Sequence, residues 1–424
     1  MRLHWMMSVV AGAFCASPTL ASGEWTQWGG ANRDFVARNA RVADKWPDDG
    51  PKKLWSQDLG GGYATVLVDG DTLYTGYRDG EKDVWVALRA EDGSRIWSSS
   101  YESVVPDTDN NSRDPEAIVS QFGKGPNATP LLHDGKLYTL GFMGVLSCFD
   151  KKTGELKWRH DLVAEYEAKV PRFGYAASPL VYKDTLIVLA NSPEKRVMAF
   201  KLDDGSVAWG AGAEDVSYAS PLLIDVDGQE QLVYAGGSQV VGMSPKDGAE
   251  LWKFEHVNQF RTNIFTPVWC PGNILFVSGG AGGRGVKLSA KDGKTNVEEL
   301  WGPEQKAGAG LSNALRIDDH LYVTGGGTKS YMLDINFTTG EVDKLTDLQN
   351  ITQSQLVLVG DKIVVMGEDG MLMVLKRDGD KLETVAATQL FEPSGRNKCW
   401  TTPTIVGSRL YVRDFNKIVA LDLQ

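Results

Sequence analysis

Residues that could carry chemistry are few and scattered along the chain. The densest run of oxygen donors is Asp107-Thr-Asp109-Asn-Asn111-Ser-Arg-Asp114. Asp107, Asp109, Asn111 and Asp114 recur there at the close spacing that a hard cation such as calcium prefers, but the run lacks the glycine and the distal glutamate of the common calcium loop. Its plainer reading is a solvated insertion, because 61 residues separate Trp97 from Trp158 whereas 42 separate Trp55 from Trp97. The five histidines, His4, His133, His160, His256 and His320, fall singly. They form no zinc spacing, and each reads as a surface or satisfied strand residue. No GxSxG elbow supports an esterase. Gly280 to Gly285 satisfies GxGxxG, but the run Val286 to Ser289 that follows is strand-like, where a dinucleotide site needs a helix N-terminus. Gly293-Lys294-Thr295 lacks the upstream glycine of a phosphate loop, Leu288 standing in its place. No catalytic residue is assigned.

A second set of candidates is defined by position. Tyr63, Asn127, Arg172, Tyr175, Tyr218, Arg261, Asn263, Asn313, Arg396 and Trp400, with Gln353 and Lys398 beside them, all lie just ahead of recurring apolar runs. Aromatic and amide groups with several cations, gathered at one mouth, suit a sugar, an anion or a peptide. The competing reading is that they hydrogen-bond between neighbouring repeats.

The elements that would gather them repeat. One unit runs Ala128-Thr-Pro, then Asp134-Gly135, then Gly144 to Asp150, then Thr153-Gly154 and Trp158. Short apolar and β-branched runs separated by Asp-Gly and Thr-Gly read as four strands joined by tight turns, since glycine supplies the positive φ that hairpins demand. The same order recurs from Ala177 and from Ala219, with weaker copies elsewhere, giving units that start near 64, 128, 177, 219, 265, 311, 354 and 402. Their period, about 45 residues, is that of propeller blades. The expected fold is all-β, an eight-bladed propeller of four-stranded antiparallel blades, with one short helix near Ala164 to Ala168. The last unit ends after three strands, and Lys52 to Leu59 resembles the missing outer strand. The N-terminal strand is therefore expected to join the last blade and close the ring, removing open sheet edges. Trp97, Trp158, Trp209 and Trp252 each stand four residues after a turn glycine. Recurrence once per blade assigns them to packing between blades rather than to a ligand platform.

Composition bounds the function. The chain has 424 residues, 44 basic and 55 acidic, a net charge of -11, and no basic block. That argues against nucleic-acid and anionic-membrane surfaces. Arg2 and His4 precede a short apolar run ending at Phe14, and Thr19-Leu20-Ala21 offers a cleavage point. Residues 1–21 therefore read as a signal peptide, 22–51 as an N-terminal extension and 52–424 as a single propeller, periplasmic or secreted after cleavage. Cys15 follows Phe14, where a lipoprotein signal needs a small residue. No later run is long enough to span a bilayer. The other cysteines, Cys148, Cys270 and Cys399, permit at most one disulfide, and no CxxCH occurs for a covalent haem. A closed ring leaves no sheet edge that compels assembly, so a monomer is expected.

The Gly-x-x-x-Trp repeats resemble the docking motif of pyrroloquinoline-quinone-like (PQQ-like) propellers, which include quinoprotein alcohol dehydrogenases and BamB-like propellers. Trp25-Thr-Gln-Trp28-Gly-Gly-Ala-Asn32-Arg33-Asp34, Cys399-Trp400-Thr-Thr-Pro403 and Leu410-Tyr-Val-Arg413 are similar to the opening and closing blocks of exported bacterial proteins of that group. The resemblance covers about the whole chain after the signal. It implies an exported binding or scaffold propeller that recognises a protein or small ligand at its loop face. Its alternatives are a PQQ- and calcium-dependent alcohol or sugar dehydrogenase and a binder of cell-envelope carbohydrate or polymer. The dehydrogenases of the group bring a pair of adjacent cysteines, a calcium ligand set and an aspartate base. No Cys-Cys pair occurs here.

Overall fold

The computed structural model describes residues 24–105, 123–258, 260–325, 331–345, 353–378, 381–393 and 398–424. The signal segment, the Asp107–Asp114 run and Arg396 lie outside them. Eight antiparallel sheets follow one another along the chain, seven of four strands and one of five. Blade 2 shows the plan. Its strands Leu131–His133, Lys136–Leu140, Val145–Asp150 and Leu156–Asp161 pair in sequence order from inside outwards. The first two are joined by Asp134 (φ 46°) and Gly135 (φ 76°), both left-handed, as a two-residue turn that follows strand twist requires. The helix is a single turn, Leu162–Tyr166, capped by Asp161.

The ring closes as the sequence implies. Lys52–Asp58 pairs antiparallel with Lys417–Asp422 as the outer strand of the eighth blade. Arg413 fastens this seam to blade 1. Its side chain is wholly buried and donates to the carbonyl oxygens of Gly76 (2.7 Å), Gly60 (2.7 Å), Phe415 (2.9 Å) and Asp414 (3.2 Å).

Between blades, the tryptophans dock as their spacing predicts. The indole of Trp158 lies against Gly205, where an added Cβ would stand 2.7 Å from the ring, and its Nε1 donates to the Leu202 carbonyl at 3.3 Å. Trp55, Trp97 and Trp301 meet Gly93, Gly154 and Gly340 in the same way, and the Trp209 ring lies against Gly248 with its Nε1 unbonded. Trp252 differs. Its Nε1 donates to Gln231 at 2.6 Å, and Gly293 of the next blade has open space around it. It still packs in the wedge, among Leu275, Val286 and Leu288.

A second stitch runs round the axis. The backbone N–H of Thr129 donates to Ser178 Oγ, that of Ser178 to Ser220 Oγ, and that of Ser220 to Thr266 Oγ1, each at 3.0 Å. The hydroxyls of Ser178, Ser220 and Thr266 thus tie blades 3, 4 and 5 each to the previous one.

The N-terminal extension enters the channel that this ring encloses. Glu24–Trp25 pairs as a fifth strand inside Leu67–Asp69 of blade 1, beginning opposite Asp69 at the far end from the loop mouth. Thr26 accepts from Leu132 of blade 2, Phe35 and Ala37 bond to Leu358 of blade 7, and Arg41 donates to Gly407 of blade 8. Residues 28–35 therefore form a plug pushed up from below. Gly29 (φ 75°) and Gly30 (φ 79°) make its turn, and a Cβ on Gly29 would lie 2.9 Å from the Arg33 backbone. His256 is a correction. It is neither at the surface nor satisfied, being fully buried with neither ring nitrogen hydrogen-bonded. Burial, reinforced by the nearby Arg284 charge, lowers its pKa to about 4.

Candidate functional site

Above the plug lies an axial cavity of about 560 Å³, a size that suits a small organic ligand. Its wall follows from the two-residue period of extended chain. Just before the innermost strands of blades 1, 2, 4 and 8, alternate residues face the axis while the residue between them faces the wedge. Thus Tyr63 and Thr65, Asn127 and Thr129, Tyr218 and Ser220, and Trp400 and Thr402 line the cavity. Ala64, Ala128, Ala219 and Thr401 between them are buried. In blade 6 the consecutive residues Leu311 to Ala314 all line the cavity.

This register decides the sequence candidates. Tyr63, Asn127, Arg172, Tyr218, Asn313 and Trp400 come together around the cavity. Tyr175 and Asn263 do not line it, because each stands one residue too early. Tyr175 covers Gly144 and donates through its hydroxyl to the Ala190 carbonyl at 2.6 Å. Asn263 is buried and donates to the carbonyls of Gly236 (2.6 Å) and His256 (3.2 Å). Arg261, at φ 51°, is spent on Ser238 Oγ at 2.6 Å and also lies off the cavity. The competing structural role holds for part of the set as well. Asn127 donates to Phe173 of the next blade at 3.0 Å, and Asn313 exchanges two 2.8 Å bonds with Leu356.

The aromatic part of the mouth is clustered. Tyr63 packs between Trp400 and Phe415, with both ring centroids at 5.1 Å. Trp400 Nε1 donates to Glu368 at 2.9 Å, which fixes the ring. Across the opening, Tyr218 packs on Phe173 at 5.5 Å, and the exposed Arg172 lies over Phe173 at 5.6 Å. Burial raises the pKa of both Tyr63 and Tyr218, so these phenols are neutral at any physiological pH.

The positional argument missed the plug. Trp28, Asn32, Arg33, Asp34 and Phe35 form part of the lining. Arg33 Nη1 donates to Pro179 at 3.1 Å and to Gln27 at 3.4 Å, and Nη2 donates to Pro221 at 3.2 Å. Its guanidinium lies 5.4 Å from the Trp28 ring. The available signal was the Gly-Gly pair in the opening block, which marks a tight loop without saying where that loop goes.

Fold and wall together define the class, an eight-bladed propeller of PQQ-like repeats with a ligand-sized axial cavity. The family model described as outer membrane protein assembly factor BamB matches residues 80–324 and 236–424, and the chain belongs to that family. Among solved structures it is similar to BamB from Moraxella catarrhalis at 17% identity and a TM-score of 0.57, covering 87% of this chain and 96% of that one. Quinohemoprotein alcohol dehydrogenase from Comamonas testosteroni matches at 11% identity and a TM-score of 0.62, covering 98% of this chain and 82% of that one. A europium-containing methanol dehydrogenase matches at 12% identity and a TM-score of 0.60, covering 92% and 89%. No curated protein matches the chain.

The lining was tested for the quinone and calcium that the dehydrogenases imply. Its one carboxylate among the described residues is Asp34, and both Asp34 oxygens are taken by Arg38, at 3.2 and 2.5 Å. No group of three or more His, Cys, Asp or Glu suited to a metal occurs among the described residues. These residues do not fit a calcium-bound quinone.

Proposed function

We propose that the chain is an exported propeller that recognises a ligand at its loop face. The observation that carries this reading is the axial cavity, stopped from below by residues 28–35 and walled by aromatic, hydroxyl and amide groups whose positions the blades fix. Rigid aromatic surface with a few placed polar groups is the usual make-up of a binding site, and none of it needs a poised acid or base. Export is supported by the form of residues 1–21. No helix among the described residues is long and apolar enough to cross a membrane.

Three lining tryptophans, Trp28, Trp269 and Trp400, give the test a signal. Tryptophan emission of the purified protein would be followed during titration with fractionated envelope peptides, glycans and small metabolites. A saturable change is expected from one fraction, weakened at least about tenfold in Trp400→Ala with the circular dichroism unchanged. In parallel the protein would be incubated with pyrroloquinoline quinone, calcium and an artificial electron acceptor across alcohols and aldoses. Saturable turnover there would overturn the recognition reading, as would the absence of any responding fraction.

A further inference from the structure

The charge lining the cavity is unlike that of the protein. The chain carries a net charge of -11, yet the lining contains three arginines, Arg33, Arg172 and Arg316, and the single carboxylate Asp34, already paired with Arg38. Arg172 and Arg316 reach solvent. Arg33 is half-buried at the cavity floor, and all its hydrogen-bond partners are neutral oxygens. Burial alone holds its pKa down to about 10, with no carboxylate near enough to offset it. A guanidinium has five N–H donors. Three are bonded, one Nη2 hydrogen is left over, and Nε has no partner.

The surroundings of the guanidinium are also polar. Pro179 and Pro221, whose carbonyls hold the guanidinium, directly follow Ser178 and Ser220. Both serines line the cavity, and each hydroxyl oxygen accepts a backbone N–H from the preceding blade. Their hydroxyl hydrogens are thereby left to donate elsewhere. The plug backbone is strained where it presents this group, since Arg33 (φ 56°) and Phe35 (φ 59°) are both left-handed without being glycine. Such conformations persist only where the surrounding structure enforces them, and they concentrate at ligand sites. A cation drawn out of water with no counter-charge is costly, and an oxyanion on the unbonded Nη2 hydrogen offsets that cost with a charge-assisted hydrogen bond.

We propose that the floor of the axial cavity is a binding site for a small organic acid, its carboxylate held by Arg33 together with the Ser178 and Ser220 hydroxyls and its apolar body packed against Trp28, Leu222 and Trp269. The inference rests on reading the cavity as a recognition site and names the class of ligand it takes.

Benzoate, its neutral isostere benzamide and inorganic phosphate are the probes, titrated calorimetrically into the purified full chain. Benzoate is expected to bind at least about tenfold more tightly than benzamide or phosphate. Arg33→Gln should weaken benzoate by a similar factor and leave benzamide unchanged. Equal binding of acid and amide, phosphate as the tightest probe, no binding of any probe at about 10 mM, or an unaltered benzoate affinity in Arg33→Gln would each overturn the assignment. Should Arg33→Gln fail to fold, the acid-against-amide contrast in the unsubstituted protein still decides the matter. Loss of the acid site while Trp400→Ala still abolishes the response to an envelope fraction would remove this inference and leave the recognition reading standing.

Discussion

His256 shows how a single side chain sets a pH response in this molecule. Its imidazole is buried without a hydrogen-bond partner and has its pKa lowered to about 4, against an ordinary value of 6.5. Between those two values the unfolded chain binds a proton that the folded one does not, so stability rises with pH across that window and is lost as pH falls through it. A shift of this size corresponds to a loss on the order of 3 kcal/mol on going from neutral pH to about 4. Urea midpoints measured at stepped pH should show that decline in the native protein and a flatter one in His256→Gln. Nothing in the sequence marked this histidine, because an isolated imidazole has no signature separating an orphaned core position from an exposed one. Arg33 was hidden for a related reason. Its role depends on carbonyls of Pro179 and Pro221, 146 and 188 residues away.

At the scale of the element, the contact between an indole and the next blade's turn glycine separates two contributions that sequence alone merges. Gly205 and Gly293 have nearly the same φ, 75° and 76°, but Gly205 lies under Trp158 whereas Gly293 faces open space. Gly293→Ala should cost only the left-handed penalty of a Cβ, about 1 kcal/mol. Gly205→Ala should cost a further 1 to 3 kcal/mol, roughly, because the indole must shift. Equal losses in chemical denaturation would show that docking contributes nothing beyond turn geometry. The blades themselves were legible because three local signals, Ala-Ser/Thr-Pro, Asp-Gly and Gly-x-x-x-Trp, recur in one order. The wall of the cavity was legible only in part. Tyr63 and Tyr218 line the cavity, but Tyr175 and Asn263 sit one residue out of register, and in extended chain that single step turns a side chain from the axis into the wedge.

For the whole molecule the seam between the eighth and first blades matters most. Arg413→Met removes four bonds to main-chain carbonyls and strands two of them, Gly76 in blade 1 and Gly60 in the connection leading into it. Each buried acceptor left unmet costs about 1 to 3 kcal/mol, so a total near 4 kcal/mol is expected. Hydrogen exchange should then accelerate in Lys52–Asp58 and Lys417–Asp422 while Leu222–Val226 and Gln229–Ala235 of blade 4 keep their protection. Uniform acceleration round the ring would contradict a local fastening role.

Because Lys52–Asp58 has as its sheet partner Lys417–Asp422, a stretch made only after seven blades have been built, the first outer strand of the wheel stays unmatched while those blades form. Seven blades acquire their full complement in passing, but the eighth waits until Lys417–Asp422 has emerged. Until then a bare ladder of amide and carbonyl groups lies open to pairing with other polypeptides. The interval before the ends meet is when this protein most needs a chaperone.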